Sequence, residues 1–383
     1  MNAPEKPAAS DRFLFVDLLR GWAVLVMIET HVLNALLAQS LKDQAPFKIL
    51  TFVNGLVAPS FLFCAGFGLA ISLRRRWDKF MRFERPFWRT VVRMVFILVV
   101  AYSLHLPFFS LRRMAGITDE HLWISFFQVD ILQVIAVTLL LLVLLASVTR
   151  KPDIFRTIVS ILALAVIFAA PVVRAMDLSG LPIWFRPYLS LQFQSQFPMF
   201  PWAAFLMVGL ILGFWYVRAA EEKKDAECMK WFGILAVGGM VLSVAAEFAP
   251  FGVYPNHDFF RASPEFFFVR VGCVVMALAG LWLLGRKRQS SGPSLLSLFG
   301  QESLLVYVVH LLIVYGHDYD FSFVRMFGQT LGYVQALGLF AGLTIVMYLL
   351  AFVWHSIKKW NMRVAYGIEV CILGGIVAEF VLK

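Results

Sequence analysis

The sequence has few charged residues for its length. Only 15% of its 383 residues are Asp, Glu, Lys or Arg, and 60% are hydrophobic, whereas a typical soluble domain is about 25% charged. A soluble protein of this size would need a polar surface that these residues cannot supply. The shortage of charged residues excludes the classes of soluble protein and predicts a protein that lies largely within a membrane.

Cysteine is also scarce. The four cysteines are Cys64, Cys228, Cys273 and Cys371, and no CxxC pair occurs, so neither a disulfide framework nor a zinc site is predicted. The segment Met1–Ser10 lacks the cationic stretch and the small-residue cleavage site of a signal peptide. We therefore expect residues 1–10 to form a short disordered cytoplasmic segment, and the first apolar run to remain as a helix.

Long apolar runs are abundant. Several reach 18 or more residues, which is enough to cross a hydrocarbon core of roughly 30 Å. Eleven candidate spans lie near 13–38, 49–73, 90–109, 122–147, 154–173, 196–217, 230–250, 265–284, 295–316, 332–355 and 363–382. The fifth and the last are the weakest, so ten spans would also fit. The prediction is an all-α, polytopic membrane helix bundle in which residues 11–383 form a single domain.

Basic residues are distributed unevenly between alternate loops. With the N-terminus inside, 22 of the 34 Lys and Arg residues fall in inner segments and nine in outer segments, while Arg20, Arg93 and Arg270 lie within spans. Basic residues collect in the cytoplasmic loops of membrane proteins. The pattern predicts a cytoplasmic N-terminus, and it explains the net charge of +10 without a nucleic-acid partner.

Ionisable side chains inside a span are costly, so each is a functional candidate. The first span contains Asp17, Arg20, Glu29 and His31. Asp17 and Arg20 are three residues apart, which allows an ion pair on one helix face. Arg20 and His31 are eleven residues apart, so they share a face at a separation of about 16.5 Å along the axis, with Glu29 nearly opposite. The alternative interpretation is an interfacial ion pair with a capping histidine near the outer surface.

The pattern Asp17-x-x-Arg20-Gly21 followed by His31 resembles the opening helix of membrane acyltransferases, including the acyltransferase 3 family, which carry an arginine, ten residues and a histidine. Further segments are similar to the bacterial relatives of heparan-α-glucosaminide N-acetyltransferase. These segments are Asn54–Phe67, Asp130–Gln133, Phe197–Trp202 and Phe299–His310. The resemblance extends from about residue 12 to residue 316.

The resemblance implies transfer of an acetyl or other small acyl group from cytoplasmic acyl-CoA to a sugar hydroxyl or amine of a glycan or glycolipid on the outer side of a bacterial inner membrane. Acyl-CoA is then the donor substrate, membrane lipid and the glycan are the partners, and no metal is expected. In the animal enzyme of that family the catalytic histidine lies in the loop after the first span. The corresponding segment here, Ser40–Lys48, has no histidine. If this chain catalyses the same reaction, His31 must be its catalytic histidine.

The residues predicted to be catalytic are His31, Arg20, Asp17, Asp130 and His310. A histidine can act as base or nucleophile at neutral pH, and an arginine can hold phosphate or a developing oxyanion. The residues predicted to bind substrate are Glu29, Asn54, Gln133, Trp202, Ser303 and Tyr307. Interhelical hydrogen bonding is an alternative role for Ser303 and Tyr307, and an interfacial aromatic belt explains Trp202 equally well.

The segment from Arg74 to Arg89 combines seven cations with five aromatic residues. Arg74, Arg75 and Arg76 are predicted to bind the phosphates of the acyl-CoA donor. The same composition is typical of a loop that sets topology and anchors on anionic lipid, and both interpretations stay open. The segment Gly316–Asp320 resembles a cluster of metal ligands, but a solvated loop is the interpretation that we adopt.

Two other classes of function fit part of the pattern. A transporter or flippase for a lipid-linked sugar or small anion would also use an intramembrane Asp–Arg–His stripe. Against it, the chain shows no pair of related halves. A non-catalytic membrane assembly factor would not require such a stripe. The leading prediction is therefore an acyl-CoA-dependent membrane acyltransferase.

Overall fold

The computed structural model describes residues 13–248, 263–287, 294–316 and 321–383. This part of the chain is helical and contains no β-strand, which confirms the all-α prediction. The helices of the first half are α1 (Leu14–Leu36), α2 (Gln39–Lys42), α3 (Ala45–Asn54), α4 (Val57–Met81), α5 (Arg85–Ser103), α6 (Leu111–Ala115), α7 (Glu120–Phe127), α8 (Ile131–Thr149) and α9 (Pro152–Ala175). The later helices are α10 (Met199–Glu221), α11 (Asp225–Glu247), α12 (Pro264–Lys287), α13 (Leu295–Gln301), α14 (Ser303–Tyr315), α15 (Phe323–Phe327), α16 (Tyr333–Trp360) and α17 (Met362–Leu382).

The helices have the length and composition of a polytopic membrane protein. Within the described residues nine are long and apolar enough to cross a membrane, or ten if the bent pair α13–α14 forms one span. Each of the eleven predicted segments overlaps a helix or that bent pair, and the segments 49–73 and 122–147 each overlap two helices. The peripheral helices expose large apolar side chains, for example Leu242, Leu349 and Val370, as lipid-facing helices do. The orientation of the N-terminus stays a prediction.

Three predicted boundaries are wrong where they bear on the site. Helix α4 continues to Met81 with a kink at Arg76, so Arg74–Arg76 lie at this kink instead of in a loop. The predicted span 295–316 is broken at Glu302, where α13 and α14 meet at 91°. Helix α8 begins at Ile131, so Asp130 precedes the helix instead of lying two turns inside it. Aspartate is a favoured residue immediately before a helix.

Helix α1 lies at the centre of the bundle. It contacts α3, α4, α12, α13, α14, α15 and α16. Apolar residues along its whole length, including Leu19, Ile28 and Val32, are fully buried. The polar side chains of α1 therefore need partners inside the protein, because neither lipid nor the apolar core can supply hydrogen bonds.

Glycines allow two pairs of helices to approach closely. Where α4 crosses α10, a Cβ atom on Gly66 would lie 1.9 Å from the carbonyl oxygen of Leu206. Where α13 crosses α1, a Cβ atom on Gly300 would lie 2.0 Å from the carbonyl oxygen of Asp17, and Gly21 makes a similar approach. Small residues at such crossings are typical of membrane helices, and here they bring the start of α1 against α13.

The substitution Gly66→Ala should destabilise the protein by about 1–3 kcal/mol, because the added methyl group would force α4 and α10 apart. Gly238→Ala on α11 is the matched control. Nothing lies within 4 Å of the Cβ position at Gly238, so alanine should leave stability unchanged or raise it slightly. Thermal unfolding of both variants in detergent measures the difference. Equal midpoints for Gly66→Ala and the unaltered protein would contradict the close crossing.

Candidate active site

Arg20 joins three helices of the bundle. Its Nη1 lies 3.7 Å from Oδ1 of Asp17, so the ion pair expected from the spacing is present. Nη1 also donates to the carbonyl oxygen of Gly300 at 3.4 Å, and Nη2 donates to that of Cys64 at 3.5 Å. The guanidinium group therefore connects α1 with α4 and α13.

A cavity of about 510 Å³ lies beside Arg20. Its basic lining residues besides Arg20 are Arg75, Arg76, Arg89 and Arg93, and its hydroxyl and amide groups come from Ser72, Thr90, Gln301, Ser303 and Tyr307. Apolar side chains of α5 and α8, such as Ile97 and Leu139, complete the wall. The cavity thus combines a strongly cationic wall with an apolar surface.

Two histidines lie together beyond this cavity. The ring centroids of His31 and His310 are 5.2 Å apart, and His310 is fully buried. Nδ1 of His310 lies 2.7 Å from the carbonyl oxygen of Val306. A carbonyl can only accept, so the proton of the neutral ring is on Nδ1 and Nε2 carries the lone pair. Nδ1 of His31 lies 3.0 Å from the hydroxyl of Tyr315.

Tyr307 connects the cavity with the histidine pair. It lines the cavity, and its ring centroid lies 5.9 Å from that of His310. Tyr307, His310 and Ser303 are all on α14, immediately after the break at Glu302. The break therefore orients the helix that carries both the cavity hydroxyls and the second histidine.

Asp130, which was predicted to be catalytic, contacts a different imidazole. Its Oδ2 is 2.9 Å from Nε2 of His105. The backbone N–H of Asp130 donates to Oε1 of Gln133 at 3.1 Å, and Nε2 of Gln133 is buried with no hydrogen-bond partner among the described residues. Asp130 and Gln133 thus form one unit at the start of α8.

The remaining predicted substrate-binding residues lie apart from the cavity. Glu29 and Asn54 each keep one buried side-chain oxygen that has no hydrogen-bond partner among the described residues, and Glu29 is on the face of α1 opposite Arg20. Trp202 is buried against Phe197 and lies under the guanidinium group of Arg270, 5.6 Å from the ring centroid. None of the three predicted residues is in the cavity wall. Glu29, Asn54 and Trp202 therefore do not share the cavity that Ser303 and Tyr307 line.

The three predicted donor-binding arginines are also divided. Arg75 and Arg76 line the cavity, but Arg74 forms an ion pair with Glu221 on α10 at 2.7 Å and is not in the lining. Arg89 and Arg93 were not among the predicted site residues, although they lie in the wall. Their spacing of four places them on one face of α5, which is the signal that could have identified them.

A buried charge cluster holds the break between α13 and α14. The side chain of Glu302 is only 4% exposed. One of its oxygens is 3.1 Å from Nδ1 of His355, and the other accepts from Lys358. Both partners are on α16 and lie three residues apart, so one helix face neutralises the carboxylate. The sequence gives no local indication of this contact.

Within the described residues, no three His, Cys, Asp or Glu side chains lie close enough together to hold a metal ion. His317, Asp318 and Asp320, which resemble metal ligands in the sequence, lie outside the described residues.

The sequence matches a known protein family over more than half of its length. Residues 12–244 match the family model of heparan-alpha-glucosaminide N-acetyltransferase, catalytic. The chain belongs to this family. The resemblance found in the sequence is thereby confirmed over residues 12–244, and its later part, including Phe299–His310, lies outside the match. The protein is a membrane acetyltransferase by family. The match begins just before α1 and ends within α11, so it includes none of α12, α13 and α14. No curated protein matches the chain at a significant level of similarity.

Removing the Glu302 carboxylate should destabilise the helix break. We expect Glu302→Ala to lower the free energy of unfolding by about 3–5 kcal/mol, because it leaves partly buried Lys358 without its counter-charge. Glu222→Ala is the matched control, since it breaks an exposed ion pair with Arg218 at 3.0 Å and should cost about 1 kcal/mol or less. Thermal unfolding of both variants in detergent provides the comparison. If Glu302→Ala lowers the midpoint of thermal unfolding no more than Glu222→Ala does, Glu302 does not hold the break between α13 and α14.

Proposed function

We propose that the protein transfers an acetyl or other small acyl group from acyl-CoA to a sugar hydroxyl or amine of a glycan or glycolipid. One observation carries this proposal. The cationic cavity beside Arg20 and the pair of half-buried His31 with buried His310 meet at Tyr307, so a site for an anionic donor adjoins a site for proton transfer. Membership of the acetyltransferase family supports the reaction type.

The cavity has the chemistry that coenzyme A requires. The phosphates of coenzyme A are multiply charged anions, and arginine forks bind such groups through paired hydrogen bonds. Arg75, Arg76 and Arg89 provide these forks at the ends of α4 and α5. The apolar wall then accommodates the aliphatic part of the pantetheine arm, and Arg20 and Tyr307 come to lie near the thioester.

The histidine pair supplies the base. The acceptor hydroxyl or amine gives its proton to an imidazole nitrogen as its oxygen or nitrogen attacks the thioester carbonyl. The C–S bond then breaks, and the thiolate of coenzyme A leaves with the electron pair and takes up a proton. In an acyl-histidine variant of the mechanism, the imidazole nitrogen attacks first and passes the acyl group on.

The two substrates approach from opposite sides of the membrane. With the N-terminus in the cytoplasm, the basic ends of α4 and α5 face the cytoplasmic acyl-CoA pool, and His31 lies toward the outer surface. The acceptor glycan then binds on the outer side of a bacterial inner membrane. Labelling of single cysteines introduced at residue 84 and residue 117 with a membrane-impermeant maleimide tests this orientation, and labelling of residue 84 from outside would contradict it.

The substitution His31→Ala should lower acyl transfer by at least about 100-fold, since a positioned base contributes 10²–10⁴-fold. Purified protein in nanodiscs is incubated with radiolabelled acetyl-CoA and glucosamine as probe acceptor, and both labelled product and free coenzyme A are measured. His121→Ala is the control because His121 is exposed on α7. Activity retained in His31→Ala would refute the assignment. Uptake of glucosamine into proteoliposomes of the protein without release of coenzyme A would indicate a transporter instead.

Donor binding has its own test. Arg89→Ala should raise the KM for acetyl-CoA about 10-fold with little change in kcat, because a charged hydrogen bond to phosphate is worth about 1.5–3 kcal/mol. Arg74→Ala is the matched control, since Arg74 belongs to the same basic surface but is paired with Glu221. Equal KM values for the two variants would show that the cavity does not hold the donor phosphates.

A further inference from the structure

Tyr315, the last residue of α14, contacts His31 on α1. Its hydroxyl lies 3.0 Å from Nδ1 of His31, and the two rings meet edge to face with their centroids 5.5 Å apart. Among the described residues this is the single hydrogen bond of the His31 side chain. The other ring nitrogen, Nε2, is therefore the one left for a substrate.

The backbone after Tyr315 fixes the point where α14 ends. Gly316 has a φ of +70°, a conformation that is open to glycine and rarely adopted by residues with a side chain. A Cβ atom on Gly316 would lie 2.9 Å from Cβ of Ser322, and Ser322 is fully buried. A glycine is therefore needed where the chain leaves α14, and this exit determines where the Tyr315 side chain lies.

The end of α1 is also held by backbone hydrogen bonds. The N–H of Leu331 donates to the carbonyl oxygen of Leu36 at 3.0 Å, and the N–H of Ala38 donates to that of Leu331 at 2.9 Å. His31 lies less than two helical turns before these contacts. The two helix ends that bring His31 and Tyr315 together are thus both anchored by the backbone.

The two histidines of the pair contact the protein through the same ring nitrogen. Nδ1 of His310 donates to the carbonyl oxygen of Val306 at 2.7 Å, which leaves the lone pair on Nε2. Nδ1 of His31 faces a hydroxyl, which can accept one proton while it donates its own. Because Tyr315 is 43% exposed, its own proton can be donated to water. Tyr315 can therefore hold His31 in the tautomer that Val306 imposes on His310.

We propose that Tyr315 is a positioning residue, whose hydroxyl oxygen accepts the Nδ1 proton of His31 and keeps the lone pair on Nε2, where the acceptor proton is taken up. This inference rests on the proposed function. The acceptor O–H or N–H bond breaks, its proton binds Nε2, and its electron pair forms the bond to the acyl carbon. The C–S bond then breaks, and the thiolate of coenzyme A takes the proton from Nε2. Tyr315 keeps its own proton throughout.

Removing the hydroxyl separates this role from donor binding. Tyr315→Phe keeps the ring contact but should lower kcat about 10- to 100-fold, by analogy with outer partners that orient metal-bound histidines. The KM for acetyl-CoA should not change, because Tyr315 is not in the cavity wall.

Tyr333→Phe is the matched control for this test. The hydroxyl of Tyr333 donates to the carbonyl oxygen of Leu41 at 3.1 Å, so the variant loses a hydrogen bond that does not involve His31. Both variants should lower the midpoint of thermal unfolding to a similar small extent, but only Tyr315→Phe should lower kcat. Equal kcat values for the two variants, or a raised KM without a lower kcat in Tyr315→Phe, would overturn the proposal.

Two glycine variants test the anchoring of Tyr315. Gly316 and Gly328 have similar backbone conformations, with φ and ψ of +70° and −175° and of +55° and −158°, so alanine strains both. Nothing lies within 4 Å of the Cβ position at Gly328. Both variants should unfold at lower temperature, and Gly316→Ala should also lower kcat as Tyr315→Phe does. Equal kcat values for the two glycine variants would contradict the positioning of Tyr315 by this exit.

Nitrogen NMR tests the tautomer without acyl transfer. Protein labelled with ¹⁵N-histidine, at a pH at which the imidazole is neutral and with His31→Ala for assignment, should show a protonated Nδ1 and an unprotonated Nε2 at His31. Tyr315→Phe should distribute the proton over both nitrogens, and Tyr333→Phe should not. A proton on Nε2 in the unaltered protein would overturn the proposal. If that protein releases no coenzyme A from acetyl-CoA, the proposed function fails, and the NMR result still decides the tautomer.

Discussion

The packing of the described helices around α1 depends on the ion pair and hydrogen bonds of the Arg20 guanidinium group. A charge inside an apolar helix bundle must be paired and hydrogen-bonded, and Arg20 takes its partners from three helices, through Asp17 and the carbonyl oxygens of Gly300 and Cys64. The contact with Gly300 requires α13 to lie directly against α1, which a glycine at that position permits. The helix then has to turn by 91° at Glu302.

This turn organises the candidate site. It places Gln301 and Ser303 in the cavity wall and directs α14 so that Tyr307 adjoins the cavity and His310 meets His31. Arg20 and His31 share a face of α1 but lie about 16.5 Å apart along the axis. They therefore cannot contact the same small group. In the proposed mechanism Arg20 serves the donor and the histidine pair serves the acceptor, with the cavity between them.

Local spacing predicted some of these features well. The length of the apolar runs predicted the all-α bundle, because a span is recognised from consecutive residues. The ion pair of Asp17 with Arg20 follows from a separation of three residues on one helix. The family was recognisable for the same reason, since its segments are short and lie in a set order. The contacts of Glu302 with α16, and of Arg74 with α10, were not predictable, because those partners are 53 to 147 residues away.

The sequence by itself therefore determined the fold class, the family and the polar residues from which a site could be built. Only the tertiary structure decided which of those residues meet. It brought His310 to His31 and Asp130 to His105, and it left Glu29, Asn54 and Trp202 outside the cavity wall. The physical reason is that helix formation depends on neighbouring residues. A polar group inside an apolar bundle, by contrast, needs a hydrogen-bond partner, and a helix distant in the sequence can provide it.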